Sequence, residues 1–218
     1  MYTAIVVAAG KGERTGLGYN KMFHIVCGKT VLAHAISVFV DDTRCDKIVV
    51  VVSDLSIPEL EPLKNIAKLT FTLGGPTRQD SVRLGLNMVT SPVVLIHDGA
   101  RPNLKKQLVD SILKLIQPNQ GATLAAKAKD SLAEFVDGVW TKPIPREHAY
   151  QIQTPQGFMT EEIIAAHQSA FQLNHNYTDD AGLYLSETNH RVVLCESTDE
   201  NLKVTTKFDL DILEDIIC

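Results

Sequence analysis

The sequence predicts an α/β fold, a mostly parallel sheet with helices on both faces, and two observations predict it. Short β-branched apolar runs alternate with longer stretches of helical period as far as Asp130. The short runs are also apolar throughout, as strands buried on both faces are, and crossover helices are what joins parallel neighbours. The strand-like runs cover 3–8, 47–52, 67–73, 93–97 and 122–126. Helix-like segments lie near 30–40, 57–66, 77–89 and 104–117. Right-handed crossovers between such strands put their C-terminal ends along one edge, where folds of this class bind ligands.

After Asp130 the pattern changes. Residues 131–144, SLAEFVDGVWTKPI, read as two short alternating runs around Asp137-Gly138, a dipeptide that hairpin turns favour. A hairpin inserted in an α/β domain has little core of its own. Its apolar Leu132, Phe135, Val136, Val139 and Trp140 therefore predict a subunit contact. Helical signals return over 160–171 and 179–187, then a strand-like RVVLC and a closing helix over 207–217. Without a repeat, a low-complexity tract or a linker, residues 1–218 read as one domain with a projecting arm at about 130–146.

Composition narrows the class of function. At 44% hydrophobic residues the chain can bury a full core. Its 21 Lys and Arg against 26 Asp and Glu give a net charge of -5 with no basic run, which argues against nucleic acid and for small-molecule partners. The apolar N-terminal stretch is too short to span a bilayer and lacks a basic flank, so neither a signal peptide nor a membrane anchor is expected. Cys27, Cys45, Cys195 and Cys218 are widely spaced without a C-x-x-C pair, and read as reduced thiols in a cytoplasmic protein, with neither a zinc site nor a disulfide scaffold.

The first strand runs into AAGKGERTGLGYNK, residues 8–21, with glycines at 10, 12, 16 and 18. Glycines let backbone N–H groups approach and cradle an anion, and Arg14 and Lys21 add charge suited to a triphosphate. Other nucleotide loops fit poorly. A P-loop needs G-x-x-x-x-G-K-[ST], but Gly28-Lys29-Thr30 lies too far on and has Phe23 where the first glycine belongs. A dinucleotide fingerprint needs G-x-G-x-x-G, and Gly10, Gly12 and Gly16 have the wrong spacing.

From this loop onward the sequence resembles the 2-C-methyl-D-erythritol 4-phosphate cytidylyltransferases. The blocks that carry the resemblance occur in the family's order: AAGKGERTG from Ala8, GGPTRQDSVRLGL from Gly74, VVLIHDGARP from Val93, QTPQGF from Gln153, YTDDA from Tyr177 and ENLKVTT from Glu200. The resemblance implies a Rossmann-like sheet of the nucleotide-diphospho-sugar transferase type. It also implies transfer of CMP from CTP to a small polyol phosphate, with Mg2+ as cofactor and pyrophosphate as the leaving group. By the same resemblance Arg14, Lys21 and Lys203 would stabilise charge on the phosphates, and Asp98 would hold Mg2+ or a ribose hydroxyl. Ala8, Ala9, Gly10, Gly12, Gly75 and Ser81 would line the nucleotide pocket, largely through backbone. The arm would reach across a homodimer and present Ser131 and Arg146 to the partner's acceptor phosphate, while Thr178 and Asp180 would act within the same chain.

Some residues depart from the family pattern. Asn20-Lys21-Met22 stands for the usual Pro-Lys-Gln, Ala133 replaces a lysine on the arm, and Gly99 sits in His97-Asp98-Gly99-Ala100-Arg101-Pro102 for a usual alanine. The segment IPREHAYQ resembles the sister ribitol 5-phosphate cytidylyltransferases of teichoic-acid synthesis, but the AAG opening and Thr178-Asp179-Asp180-Ala181 favour the methylerythritol enzymes, so methylerythritol 4-phosphate is the expected acceptor and ribitol 5-phosphate the alternative. The altered loop and missing arm cation also leave a CTP-binding protein without turnover as an alternative. Arg78 and Asp80 carry a rival reading as helix N-terminal charge and cap, and His97 reads as a packed histidine.

Overall fold

The computed structural model describes residues 1–10 and 18–218. From the N-terminus the chain forms β1 (Tyr2–Val7), a small hairpin β2 (Ile25–Val26) and β3 (Lys29–Thr30), α1 (Val31–Val40) and β4 (Cys45–Val52). The one-turn α2 (Glu61–Lys64), β5 (Leu69–Leu73), α3 (Arg78–Leu86), β6 (Val93–Asp98) and α4 (Lys106–Leu113) follow. Then come β7 (Gln120–Lys127), the arm β8 (Leu132–Val136) and β9 (Val139–Ile144), and β10 (Tyr150–Met159). The chain closes with α5 (Thr160–Leu173), α6 (Asp180–Glu187), β11 (Arg191–Glu196) and α7 (Lys207–Ile217).

Seven strands form one sheet in the order β11-β7-β10-β6-β1-β4-β5. The expected parallel pairing holds for β1 with β4 and β6, for β4 with β5, and for β7 with β11. Side chains alternate between the two faces along each strand. Val6, Val50 and Leu95 meet Leu32, Ile36 and Ile112 of α1 and α4 on one face. Ile5, Val49 and Ile96 meet Val82, Ile163 and Tyr184 of α3, α5 and α6 on the other.

Three features differ from the sequence expectation. β10 lies antiparallel between β6 and β7, although QIQTPQGF carries no strand signal. Its glutamines and threonine make it look like a loop, yet Gln153, Thr154 and Gln156 are buried and hydrogen-bonded, and the β7 ladder breaks around Pro155, which has no N–H to give. The helix expected over 57–66 contracts to a 3-10 turn and the single turn of α2, with prolines at 58 and 62 limiting it. Finally, Cys27 and Cys218 form a disulfide with Cα atoms 5.8 Å apart, which corrects the expectation of four reduced thiols. A third apolar cluster, in which Val26 and Val31 meet Val204, Leu210 and Leu213, seats α7 on the β2–β3 hairpin and brings the two cysteines together. Sequence spacing carries no trace of that contact. Cys45 and Cys195 are free and buried.

The arm forms as expected. Asp137 and Gly138 have φ of 50° and 79°, the left-handed pair of a two-residue hairpin turn. Phe135 and Trp140 meet across it with their rings tilted, yet each remains 57% exposed. Among the described residues no helix is long and apolar enough to cross a membrane.

At the edge of the sheet away from the strand C-termini, Asp42 joins the start of β1 to β4 and α4. It accepts from Tyr2 Oη at 3.0 Å and from Arg44 Nη2 at 2.6 Å, and Arg44 also bonds Asp110. The Arg44 guanidinium pulls the Asp42 carboxyl from an ordinary 3.8 down to about 2, and the side chain is only 3% exposed. A depressed carboxyl stabilises the fold above its unfolded pKa, and that contribution disappears as pH falls through the folded one. Asp42→Asn should therefore cost about 2 kcal/mol at neutral pH, measured by urea unfolding. The gap to the unmodified chain should narrow steadily from about pH 5 to about pH 2.5.

Candidate active site

The chain steps from β1 outward to β4 and β5, then returns to the other side of β1 with β6. Brackets of this kind leave a crevice at the C-terminal ends of the strands. Here it is a cavity of about 430 Å³. Ala9 and Gly10 reach it from β1, Gly75 from β5, and Asp98 from the end of β6, with Lys21 and Lys203 arriving from opposite ends of the chain. Ala8 is buried beside Ala9 and does not line the cavity, and Gly12 and Arg14 lie outside the described residues.

The wall after β5 is built by close approach. A Cβ on Gly74 would stand 2.6 Å from Ala9 Cβ and 2.7 Å from Ser81 Oγ, and one on Gly75 would stand 2.4 Å from Asp80 Cβ. Only glycine lets this turn lie flat against α3. Ser81 Oγ accepts from Gly75 N at 3.1 Å and donates to Thr77 O at 2.9 Å, so the serine fixes the loop's shape. Thr77 caps α3 by accepting from Asp80 N at 3.0 Å, while Asp80 takes the Thr77 hydroxyl and faces Arg83. Asp80 thus has the helix N-terminal place that the sequence allowed it.

Arg78 does something else. Its Nε donates to Asp98 Oδ1 at 3.1 Å and its Nη1 to Asp180 Oδ2 at 2.8 Å. Lys203 Nζ reaches Asp98 Oδ2 at 2.7 Å, and Arg101 Nε stands 4.0 Å from the same oxygen. Burial alone would raise the Asp98 carboxyl, but Arg78 and Lys203 hold it well below the usual carboxylate range. Asp98 is 7% exposed, so its charge is sustained by these neighbours and not by water. His97 beside it is fully buried, bonded to Arg101 O and Thr154 Oγ1, in agreement with the reading of a packed histidine.

Lys203 is placed by a polar seam. Arg101 Nη1 donates to Asn201 O at 2.7 Å, Asn103 donates to Glu200 O at 2.9 Å, and Val204 N bonds Ala100 O at 2.8 Å. Asn201 Nδ2 in turn donates to Gln153 Oε1 and Thr154 O, and Thr154 Oγ1 accepts from Asp98 N at 2.9 Å. Gln153 and Thr154 of β10 therefore hold both Asp98 and the segment that carries Lys203. On the other side Asn20 spans the ends of the glycine loop, with Nδ2 on Gly10 O and Oδ1 accepting from Met22 N, each at 3.1 Å. Sequence reading assigned no role to Asn20, Gln153, Thr154 or Asn201; the signals were the departure at Asn20-Lys21-Met22 and the blocks QTPQGF and ENLKVTT.

The expected acceptor residues do not line this cavity. Ser131 and Arg146 are exposed on the arm, where Arg146 Nη1 bonds Lys129 O at 3.1 Å, and Thr178 is exposed just ahead of α6. Asp180 corrects its assignment. It is 1% exposed and bonded to Arg78 and His167, so its carboxylate faces inward and cannot meet an acceptor. Burial alone would raise it, yet Arg78 and His167 keep it below the usual range.

Among the described residues no three His, Cys, Asp or Glu side chains gather as a metal cage, and Asp98 is the carboxylate on the cavity wall. A single carboxylate fits Mg2+ that arrives with a nucleotide's phosphates, because that ion keeps waters and takes one or two protein oxygens.

Comparison with known proteins places these features in context. Residues 2–218 match the family model described as IspD, 2-C-methyl-D-erythritol 4-phosphate cytidylyltransferase. A protein of that name from Clostridium novyi is 36% identical over 221 residues, covering 98% of this chain and 95% of the relative. One from Bacillus mycoides is 34% identical over 222 residues, covering 100% and 98%. The crystal structure of the Francisella tularensis protein of that name superposes with a TM-score of 0.85 at 25% identity, covering 99% of both chains.

Proposed function

Since the chain belongs to the 2-C-methyl-D-erythritol 4-phosphate cytidylyltransferase family, we infer that this site transfers CMP from CTP to 2-C-methyl-D-erythritol 4-phosphate. The products are CDP-methylerythritol and pyrophosphate, and the step belongs to isoprenoid precursor synthesis. The observation that carries the reading is the meeting of Lys21, Lys203 and Asp98 on one cavity at the strand edge.

In the proposed reaction an acceptor phosphate oxygen attacks the α-phosphorus of CTP, a new P–O bond forms, and the bond to the β-phosphate oxygen breaks. A phosphate monoester is largely ionised at neutral pH, so the site needs no general base. It needs positioning and charge neutralisation. Lys21 and Lys203, which both line the cavity, would meet the negative charge that moves toward the leaving pyrophosphate, with Arg14 assigned to the same task. The backbone at Ala9, Gly10 and Gly75, with Ser81 behind it, offers donors and acceptors for the edge of a pyrimidine. Asp98 would orient the ribose or hold Mg2+, and the ion would supply further charge neutralisation at the phosphates.

For the acceptor we assign Thr178 from the same chain, and Ser131 and Arg146 from the arm of a second subunit. The exposed Phe135, Val136, Val139 and Trp140 support an arm that docks on a partner in a homodimer. A need for CTP supports a cytoplasmic location. The full-length match to methylerythritol enzymes favours that acceptor over ribitol 5-phosphate, and the assembled cationic cavity favours turnover over simple CTP binding.

Pyrophosphate release with CTP and Mg2+ tests the reading. We expect turnover with methylerythritol 4-phosphate and none above background with ribitol 5-phosphate, and Lys21→Ala and Lys203→Ala should each lower kcat roughly a hundredfold or more. Turnover with ribitol 5-phosphate alone, or full activity in either lysine variant, contradicts it. For the arm, mixing Arg146→Ala chains with Lys21→Ala chains should restore part of the activity that each lacks alone. An inert mixture counts against a site shared between subunits.

A further inference from the structure

Thr178 is exposed, but two consecutive residues of α3 hold the chain on either side of it, one through a side chain and one through backbone. Arg78 grips Asp180, two residues after Thr178. Gln79 grips the residues before it through both ends of its amide: Nε2 donates to His175 O at 3.0 Å, and Oε1 accepts from Tyr177 N at 2.9 Å. A second anchor lies at the far end of α6. Glu187, whose side chain is 4% exposed, accepts from Tyr177 Oη at 2.6 Å, from Ser169 Oγ at 2.6 Å and from His175 Nδ1 at 2.7 Å. Beyond Thr178, Asp179 caps α6 by accepting from Gly182 N, and Ala181 N bonds Gln156 Oε1 at 2.8 Å.

α3 is also the helix whose first turn shapes the nucleotide wall through Thr77 and Ser81. We propose that Gln79 is a positioning residue that fixes Thr178, and with it the acceptor phosphate, relative to the nucleotide. The proposal rests on the assignment of Thr178 to the acceptor. Gln79 touches neither substrate in this account; it acts through the backbone at 175 and 177. The chemical logic is that of in-line transfer. The acceptor oxygen must stand behind the α-phosphorus, and an offset of an ångström lowers the rate steeply. A loop tied only to its own helices would set that distance loosely, whereas an amide clamp from the nucleotide-bearing helix sets it from the nucleotide's own frame. Backbone contacts suit the task, because they fix the loop whatever side chains it carries.

Steady-state kinetics with CTP and methylerythritol 4-phosphate test the clamp. Gln79→Ala removes two hydrogen bonds and should raise KM for the acceptor on the order of tenfold, while KM for CTP stays within about twofold. Gln79→Glu keeps the oxygen that accepts from Tyr177 but turns a second oxygen toward His175 O, so its acceptor KM should also rise. Thr178→Ala should raise the same constant, and the Gln79→Ala, Thr178→Ala double variant should be little worse than Thr178→Ala alone, because one residue acts through the other. A raised acceptor KM in Thr178→Ala with unchanged values in both Gln79 variants overturns the clamp alone. An unchanged acceptor KM in Thr178→Ala overturns the acceptor assignment and the clamp with it. Equal rises in both substrates' KM in the Gln79 variants, or fully additive effects in the double variant, also overturn the proposal, since each marks general loosening.

Discussion

Burying a carboxylate at the end of a central strand has a large desolvation cost, and at Asp98 three cations from separate parts of the chain offset it. Arg78 comes from the helix after β5, Arg101 from the turn after β6, and Lys203 from the segment before α7. Removing one partner of such a group typically costs several kcal/mol, because a charge is left without compensation. The cluster therefore constrains where those segments can lie. Two of its cations, Arg78 and Lys203, also face the cavity. The interaction that holds this edge of the sheet together is thus also the one that prepares positive charge where a triphosphate would enter.

That arrangement accounts for the least strand-like strand in the protein. A polar, proline-containing segment in the centre of a sheet is costly unless each buried group finds a partner. In β10 Thr154 accepts from the Asp98 backbone, Gln153 and the Thr154 carbonyl receive Asn201, and Gln156 receives Ala181. Apolar residues at these positions would pack as well but would leave Lys203 and α6 untethered. The polar strand gives up local propensity and gains a fixed position for the groups above it. The apolar cluster around Val204 and the Cys27–Cys218 bond do the same from below, joining the segment that carries Lys203 to the hairpin that follows Lys21.

The legible parts of the molecule were those written in local periodicity or in contiguous motifs. Apolar runs at β1, β4 and β6 disclosed the parallel sheet, Asp137-Gly138 disclosed the arm, and the glycine loop, Asp98 and Lys203 were each found within a recognisable block. What escaped was written in contacts between distant residues. The strand β10 was masked by glutamines whose partners lie about 25 to 50 positions away. The disulfide depended on α7 packing on a hairpin 191 residues earlier in the chain. Asp180 was misplaced because the block Thr178-Asp179-Asp180 does not say which member turns inward. Its environment decides that: Arg78 and His167 wait beneath α6, whereas Thr178 faces outward.

Asp98 is the charge that gathers Arg78, Arg101 and Lys203 at the edge of the cavity. The most direct measurement is pyrophosphate release by Asp98→Asn, made on protein whose circular dichroism matches that of the unmodified chain. Asparagine keeps the size of the side chain and removes its charge, leaving Arg78 and Lys203 without their common partner. In this variant kcat/KM for CTP should fall on the order of a hundredfold or more. Turnover within a fewfold of the unmodified enzyme would contradict this, and would mean that Arg78 and Lys203 are placed for the phosphates without the carboxylate they share.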